Sequence, residues 1–166
     1  AMLPHKNFQD CLHRAEDIER VSGETLAKTL LEKAGSCYLC PIGCQRHTRV
    51  AGRDGGEERG EGPEYETMVL MGPLCGIYDM AAITRANYRA NELGLDTMSY
   101  GGTVACAMEL AERGLIAPEE APGLGLAFGG AEALEALVGM TARREGLGAE
   151  LAEGAARLAA GRGHPE

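Results

Sequence analysis

The sequence predicts an all-α, multihelical domain with a cysteine-rich turn and at most a short β-hairpin. Three observations predict it. From Asp79 onward apolar residues recur at helical spacing, with Met80, Ile83, Asn87 and Ala90 falling on one face. The periodic runs are bounded by helix punctuation, including Gly94, Asp96, Gly114 and Pro118. Strand-type alternation is scarce. At 166 residues and 45% apolar content the chain can build one domain, residues 1–166, around Leu, Ile, Val, Met and Ala, because aromatics contribute only 4%.

In chain order, Ala1-Met2 reads as an added start before an internal segment, and Pro4 and Asn7 suggest an extended beginning. Ser22 is placed to cap a helix whose apolar stripe is Leu26, Leu30, Leu31 and Ala34, stopped by Gly35. The cysteines follow on a turn or short helix. His47 to Val50 suits a short strand entering a polar Gly/Arg/Glu loop that runs from Arg49 to Gly62. Glu64 to Met71 suits either a short helix or a strand. A helix from Asp79 ends at Gly94. The next is capped by Asp96, with Ser99 at its third position, and buries Val104, Met108, Ala111 and Leu115. Pro122 to Gly130 is a glycine-rich loop, and two further helices span Ala131–Arg143 and Leu147–Ala160.

The formal net charge is −9, which repels phosphate backbones and argues against nucleic-acid binding. No apolar run is long enough to cross a bilayer and no charged-then-apolar leader is visible, so the expectation is a cytoplasmic protein without membrane contact.

Six cysteines are present, and Cys37, Cys40 and Cys44 form a C-x2-C-x3-C cluster. Three thiolates at this spacing can reach one metal centre from a single turn, and Pro41 and Gly43 let the chain wrap with N–H groups facing sulfur. The spacing leaves three readings open: an iron–sulfur cluster completed by a distant ligand, zinc with His47 as fourth ligand, or plain buried cysteines. Cys75 and Cys106 read as core residues and Cys11 as a free thiol. Asp96, read by itself, is a helix cap; Glu64 and Glu66 form an acidic pair beside a polar loop.

Beyond the cysteines, the runs Gly62-Pro63-Glu64-Tyr65-Glu66-Thr67, Gly72-Pro73-Leu74-Cys75-Gly76-Ile77-Tyr78-Asp79, Asn91-Glu92-Leu93-Gly94-Leu95-Asp96-Thr97-Met98-Ser99 and Ala107-Met108-Glu109-Leu110 follow in order. Asn7-Phe8-Gln9, Ser22-Gly23-Glu24 and Arg144-Glu145-Gly146-Leu147-Gly148 agree with them. In order and spacing this series resembles the aldehyde ferredoxin oxidoreductase family from about Leu3 to about Gly163, as its middle helical domain. The resemblance implies a tungsten bis-pterin centre beside a 4Fe-4S cluster. It implies oxidation of a small aldehyde to a carboxylic acid, with electrons passed to ferredoxin. Carried over residue by residue, Cys37, Cys40 and Cys44 match three cluster ligands. Asn91, Gly94, Leu95 and Asp96 match a pterin-contacting D-x-x-G-L-D-like segment whose first position here is Asn rather than Asp. Glu64 and Glu66 match an acidic segment near the metal, where a carboxylate can move protons. The family's pterin-cradling first domain and last helical domain have no counterpart in these residues. The segment is therefore expected to be inactive alone, to lack bound tungstopterin, and to need the remaining domains of the parent enzyme as partners. The runner-up is a non-catalytic iron–sulfur or zinc-binding helical module; a helical interaction domain comes third.

Overall fold

The computed structural model describes residues 3–12 and 14–164. The reading of Ala1-Met2 as an added start falls outside them. Strands β1 (Leu3–His5) and β2 (Asp10–Leu12) form an antiparallel hairpin pairing Leu3 with Leu12 and His5 with Asp10. Its turn carries Lys6, Asn7 and Phe8 at φ +46°, +50° and +63°. Three consecutive left-handed non-glycine residues are costly and need outside support. Asn7 provides some of it, donating its N–H to the Leu74 carbonyl at 2.9 Å and its side-chain amide to Glu109 at 2.6 Å.

Helix α1 (Ala15–Arg20) leads into α2 (Gly23–Thr29), and the Ser22 hydroxyl caps α2 by accepting from the Thr25 N–H at 3.1 Å. The helix predicted through Ala34 stops at Thr29. Leu31–Gly35 is instead strand β3, which pairs antiparallel with β4 (Gln45–Ala51), itself paired with β5 (Glu57–Glu61). Two small sheets therefore correct the all-α prediction: the fold is mixed α/β with a helical majority. The three-stranded sheet left no alternating apolar pattern because most of its side chains face water; β5 reads Glu-Glu-Arg-Gly-Glu.

What fixes this polar sheet is helix α4 (Met80–Glu92). The Tyr88 hydroxyl donates to the Thr48 carbonyl at 2.8 Å, Asn87 donates to the Glu61 carbonyl at 2.9 Å, and Arg85 donates to the Ala51 carbonyl at 3.1 Å. At the hairpin tip Arg53 and Arg85 both engage Glu135, at 2.8 and 2.9 Å. The tip is thereby tied to helix α6 (Ala131–Arg143), which spans the predicted residues.

Glu64–Met71 resolves as helix α3 (Tyr65–Met71), followed by a 3-10 turn at Pro73–Cys75. Helix α5 (Thr97–Glu112) runs through the centre, burying Val104, Met108 and Leu110 among Met71, Ile83, Leu134 and Leu137. It crosses α3 closely enough that a Cβ on Gly101 would lie 2.8 Å from the Leu70 carbonyl carbon, so the crossing requires glycine there. Leu115 lies past the helix end and is 37% exposed, against expectation. The predicted last helix is two: α7 (Leu147–Leu151) and α8 (Ala155–Gly161), broken at Gly154, whose φ is +85°. Among the described residues no single helix is long and apolar enough to cross a bilayer. One pair, Tyr65–Cys75 with Met80–Glu92, passes the combined length and composition test but is bent by 119°.

Candidate functional site

The candidate site has two parts, a thiol turn and a polar cleft, and one ion pair connects them. The turn occupies residues 36–44 between β3 and β4. It is tightened by a Cys40 N–H bond to the Cys37 carbonyl at 3.0 Å and by left-handed backbone at Leu39 and Gly43. Cys37 and Cys44 are exposed, Cys40 is half-buried, and all three are free thiols. Their apolar neighbours project outward, with Tyr38 92%, Leu39 85% and Ile42 78% exposed. Soft thiolate donors of this kind suit zinc or an iron–sulfur cluster, and an apolar collar raises the local field once covered. Among the described residues no three Cys, His, Asp or Glu side chains converge as ligands of a single ion would. In a cluster each thiolate binds its own iron, so convergence at one point is not required. His47 stands in β4, and a Cβ on Gly35 would lie 2.6 Å from its Nε2, so the ring packs over the adjacent strand. By donor chemistry alone, three thiols on one short turn are of the type a cluster takes.

The other cysteines are apart from this turn. Cys11 is exposed in β2. Cys75 is buried and directs Sγ to the carbonyls of Leu70 and Gly101 at 3.4 and 3.5 Å; burial pushes its thiol pKa far up. Cys106 packs in the core, and burial followed by the charge of Glu109 raises its pKa too.

Two residues past Cys44, Arg46 donates to Glu64 Oε2 at 2.8 Å. Its Nε is buried with no hydrogen-bond partner among the described residues. Glu64 precedes α3 as its N-cap residue and lines a polar cleft of about 340 Å³. Thr67, Asn87, Asn91 and Thr97 line the same cleft, so α3, α4 and the start of α5 meet there. Thr67 and Thr97 share a hydroxyl–hydroxyl bond of 2.7 Å across it. Glu66, in the first turn of α3, is exposed and is not part of the lining.

The segment from Asn91 to Asp96 is shaped by helix-end chemistry. Gly94, at φ +72°, gives its N–H to the Asn91 carbonyl at 3.2 Å, and Leu95 gives its own to Ala90 at 2.9 Å. This paired closure needs a left-handed residue, which glycine supplies at least cost. Asp96 Oδ1 then accepts the Ser99 N–H at 2.7 Å and caps α5; that backbone bond, more than any other contact, lowers its carboxyl pKa. Gly94 thus turns the chain so that Asn91 faces the 340 Å³ cleft while Asp96 and Leu95 line a separate one of about 130 Å³. Sequence reasoning missed Arg46, Thr67, Thr97 and Asn87. Thr67 and Thr97 lie inside runs that carry the resemblance and Asn87 on the apolar-spaced face of its helix, but their roles depend on partners from distant elements.

The chain thus joins a free-thiol turn, held between two strands, to clefts at the ends of its helices. The comparisons name the class. The model of the family "aldehyde ferredoxin oxidoreductase, domains 2 & 3" matches residues 1–166, and the chain belongs to this family of oxidoreductases. It is 46% identical over 169 residues to the tungsten-containing aldehyde ferredoxin oxidoreductase of Pyrococcus furiosus, covering 99% of this chain and 26% of that protein. The corresponding protein of Thermococcus kodakarensis is 40% identical, again over 99% of this chain and 26% of its own length. A "WOR-like subunit" of an aliphatic sulfonate oxidoreductase from P. furiosus is 31% identical over 94% of the chain and 24% of its own length. The chain thus spans about a quarter of the relatives it matches. Among solved structures, the BamBC active-site complex of benzoyl coenzyme A reductase shares the fold, at TM-score 0.70 and 22% identity over 97% of this chain and 23% of that one.

Proposed function

We propose that this chain contributes three cluster ligands and one wall of a pterin pocket to a tungsten-containing enzyme. That enzyme would oxidise aldehydes to carboxylic acids and pass electrons to ferredoxin in the cytoplasm. The observation that carries the reading is the Arg46–Glu64 ion pair, which links the thiol turn to the polar cleft through one side-chain contact. Tungsten, aldehyde and ferredoxin come from the names of the relatives.

In this reading Cys37, Cys40 and Cys44 hold a 4Fe-4S cluster, and the segment Asn91, Gly94, Leu95 and Asp96 meets the pterin, with Asn91 facing the larger cleft and Leu95 and Asp96 the smaller. When bound, the cluster supplies single-electron transfer and the tungsten–pterin centre the two-electron oxidation. The chain's own residues bind and orient. Tyr38, Leu39 and Ile42 exclude water from the cluster once the remaining domains of the parent enzyme cover them. Arg46 fixes Glu64 through Oε2 and leaves Oε1 open to a proton. Glu66, exposed at the start of α3, is reachable by a group presented from another domain. Asn91 offers a neutral amide where a carboxylate is usual in the resemblance, so it can donate as well as accept.

The test is aldehyde-dependent reduction of a viologen dye by the full-length protein that carries this segment. Glu64→Gln or Glu66→Gln should lower turnover by roughly a hundredfold or more if that carboxylate moves the proton. Cys40→Ser should lower both iron content and turnover. Full aldehyde oxidation in a Cys37→Ser, Cys40→Ser double variant contradicts the proposal.

A further inference from the structure

Among the described residues six polar side chains are buried: Thr48, Thr67, Thr84, Asn87, Thr103 and Thr141. Five are hydrogen-bonded. Thr48 bonds Tyr88 and Thr67 bonds Thr97, both at 2.7 Å. Thr84 and Thr103 donate to the carbonyls of Met80 and Ser99 one turn back, at 2.8 and 2.7 Å, and Asn87 donates to Glu61 at 2.9 Å. Thr141 differs. It is only 5% exposed, yet its Oγ1 is buried with no hydrogen-bond partner among the described residues. It does not take the back-bond that Thr84 and Thr103, also buried in helices, both make. A buried hydroxyl left unpaired costs stability, and native proteins keep few of them without a reason.

The reason lies in what Thr141 lines. It borders the 130 Å³ cleft together with Leu95, Asp96, Tyr100 and Leu151. Asp96 uses Oδ1 to cap α5, and the Ser99 side chain and the Met98 N–H also bond its carboxylate, whose two oxygens together can accept about four hydrogen bonds. The cleft therefore brings a carboxylate and a buried, unpaired hydroxyl together among Ser99, Thr103 and apolar side chains. That set matches the edge of a flat heterocycle presenting N–H donors beside a carbonyl or ring nitrogen: the carboxylate takes an N–H and the hydroxyl completes the neighbouring atom.

We infer that Thr141 is a second polar contact of the Asp96 slot, donating its hydroxyl to the pterin edge; the inference rests on the reading of Asp96 as a pterin contact. The hydroxyl is left unpaired in the free chain and satisfied when the ligand enters.

The experiment titrates this chain with 2-amino-4-oxopteridine, followed by ligand-detected NMR, alongside thermal denaturation without ligand. Wild type should bind weakly but saturably. Thr141→Val, which keeps the shape and removes the hydroxyl, should weaken binding about tenfold, the worth of one good hydrogen bond. Without ligand it should melt at or above wild type, whereas a structural hydroxyl would make it melt lower. Asp96→Asn keeps a capping side chain and should also lose affinity. A lower melting point for ligand-free Thr141→Val overturns the inference, because it shows the hydroxyl already satisfied, for instance by a buried water. So does unchanged affinity in Thr141→Val when Asp96→Asn binds poorly, and in that case the pterin reading of Asp96 survives. If wild type fails to bind, or binds no better than Asp96→Asn, that reading falls and the inference with it.

Discussion

Arg46 donates to Glu64 across 2.8 Å, tying the strand that leaves Cys44 to the residue that opens helix α3. The pair is unequal: Arg46 is 23% and Glu64 52% exposed in their side chains. Water screens such a pair, so its worth to stability is about 0–1 kcal/mol. Arg46→Met also removes the buried, unpartnered Nε, which offsets part of the loss. Chemical denaturation of Arg46→Met should therefore move by less than about 1 kcal/mol. A larger loss would make the pair a structural support rather than a link between site elements.

Glu135 clamps the hairpin tip to the helices. Burial pushes its carboxyl pKa up, but the hydrogen bonds from Arg85 and Arg53 outweigh burial and hold it below the ordinary value. A depressed folded pKa adds stability above the unfolded value of about 4.3, and that stability fades as pH falls through the folded value. Glu135→Gln should cost about 1–2 kcal/mol at neutral pH, since it weakens three charged hydrogen bonds. In a pH series of urea melts, the gap from wild type should close below about pH 4. A gap that persists in acid would show that the carboxylate charge is not what stabilises the clamp.

The α3–α5 crossing depends on the missing side chain of Gly101. Gly101→Ala puts a Cβ against the Leu70 backbone and should destabilise by about 1–3 kcal/mol. Elsewhere in the interior of a helix the same change would stabilise by roughly 0.5–1 kcal/mol. The sign of the change in thermal denaturation decides whether the two helices approach as closely as described.

Leu39 holds a φ of +58° while 85% exposed. A left-handed leucine costs roughly 1–2 kcal/mol, partly recovered against glycine through the greater freedom of the unfolded glycine chain. Leu39→Gly should leave stability unchanged or raise it by up to about 1 kcal/mol. A clear loss in differential scanning calorimetry would mean the leucine side chain supports the turn.

The parts legible in the sequence are those set by neighbours along the chain. Asp79 and Asp96 announce their helices because a carboxylate needs only N–H groups two or three residues on, and both make those bonds. Gly94 announces the turn between them for the same reason. The strand Leu31–Gly35 was hidden, because Leu26, Leu30, Leu31 and Ala34 share helical spacing while only Leu26 becomes fully buried. The strand is decided by pairing with β4, and that sheet is held by Tyr88 and Asn87 from far along the chain. The candidate site divides likewise. The thiol spacing is visible in eight residues, whereas Arg46, Thr97 and Thr141 gain meaning only from partners or clefts assembled by folding.

The central claim is that Cys37, Cys40 and Cys44 hold an iron–sulfur cluster. The most direct measurement is anaerobic reconstitution with iron and sulfide, read by elemental analysis and visible absorption, on the wild-type chain and on a variant with all three changed to serine. Wild type should bind iron and sulfide with broad absorption toward the blue, and the triple variant neither. Zinc retained at one per chain in place of iron, or iron held equally well by the triple variant, would contradict it.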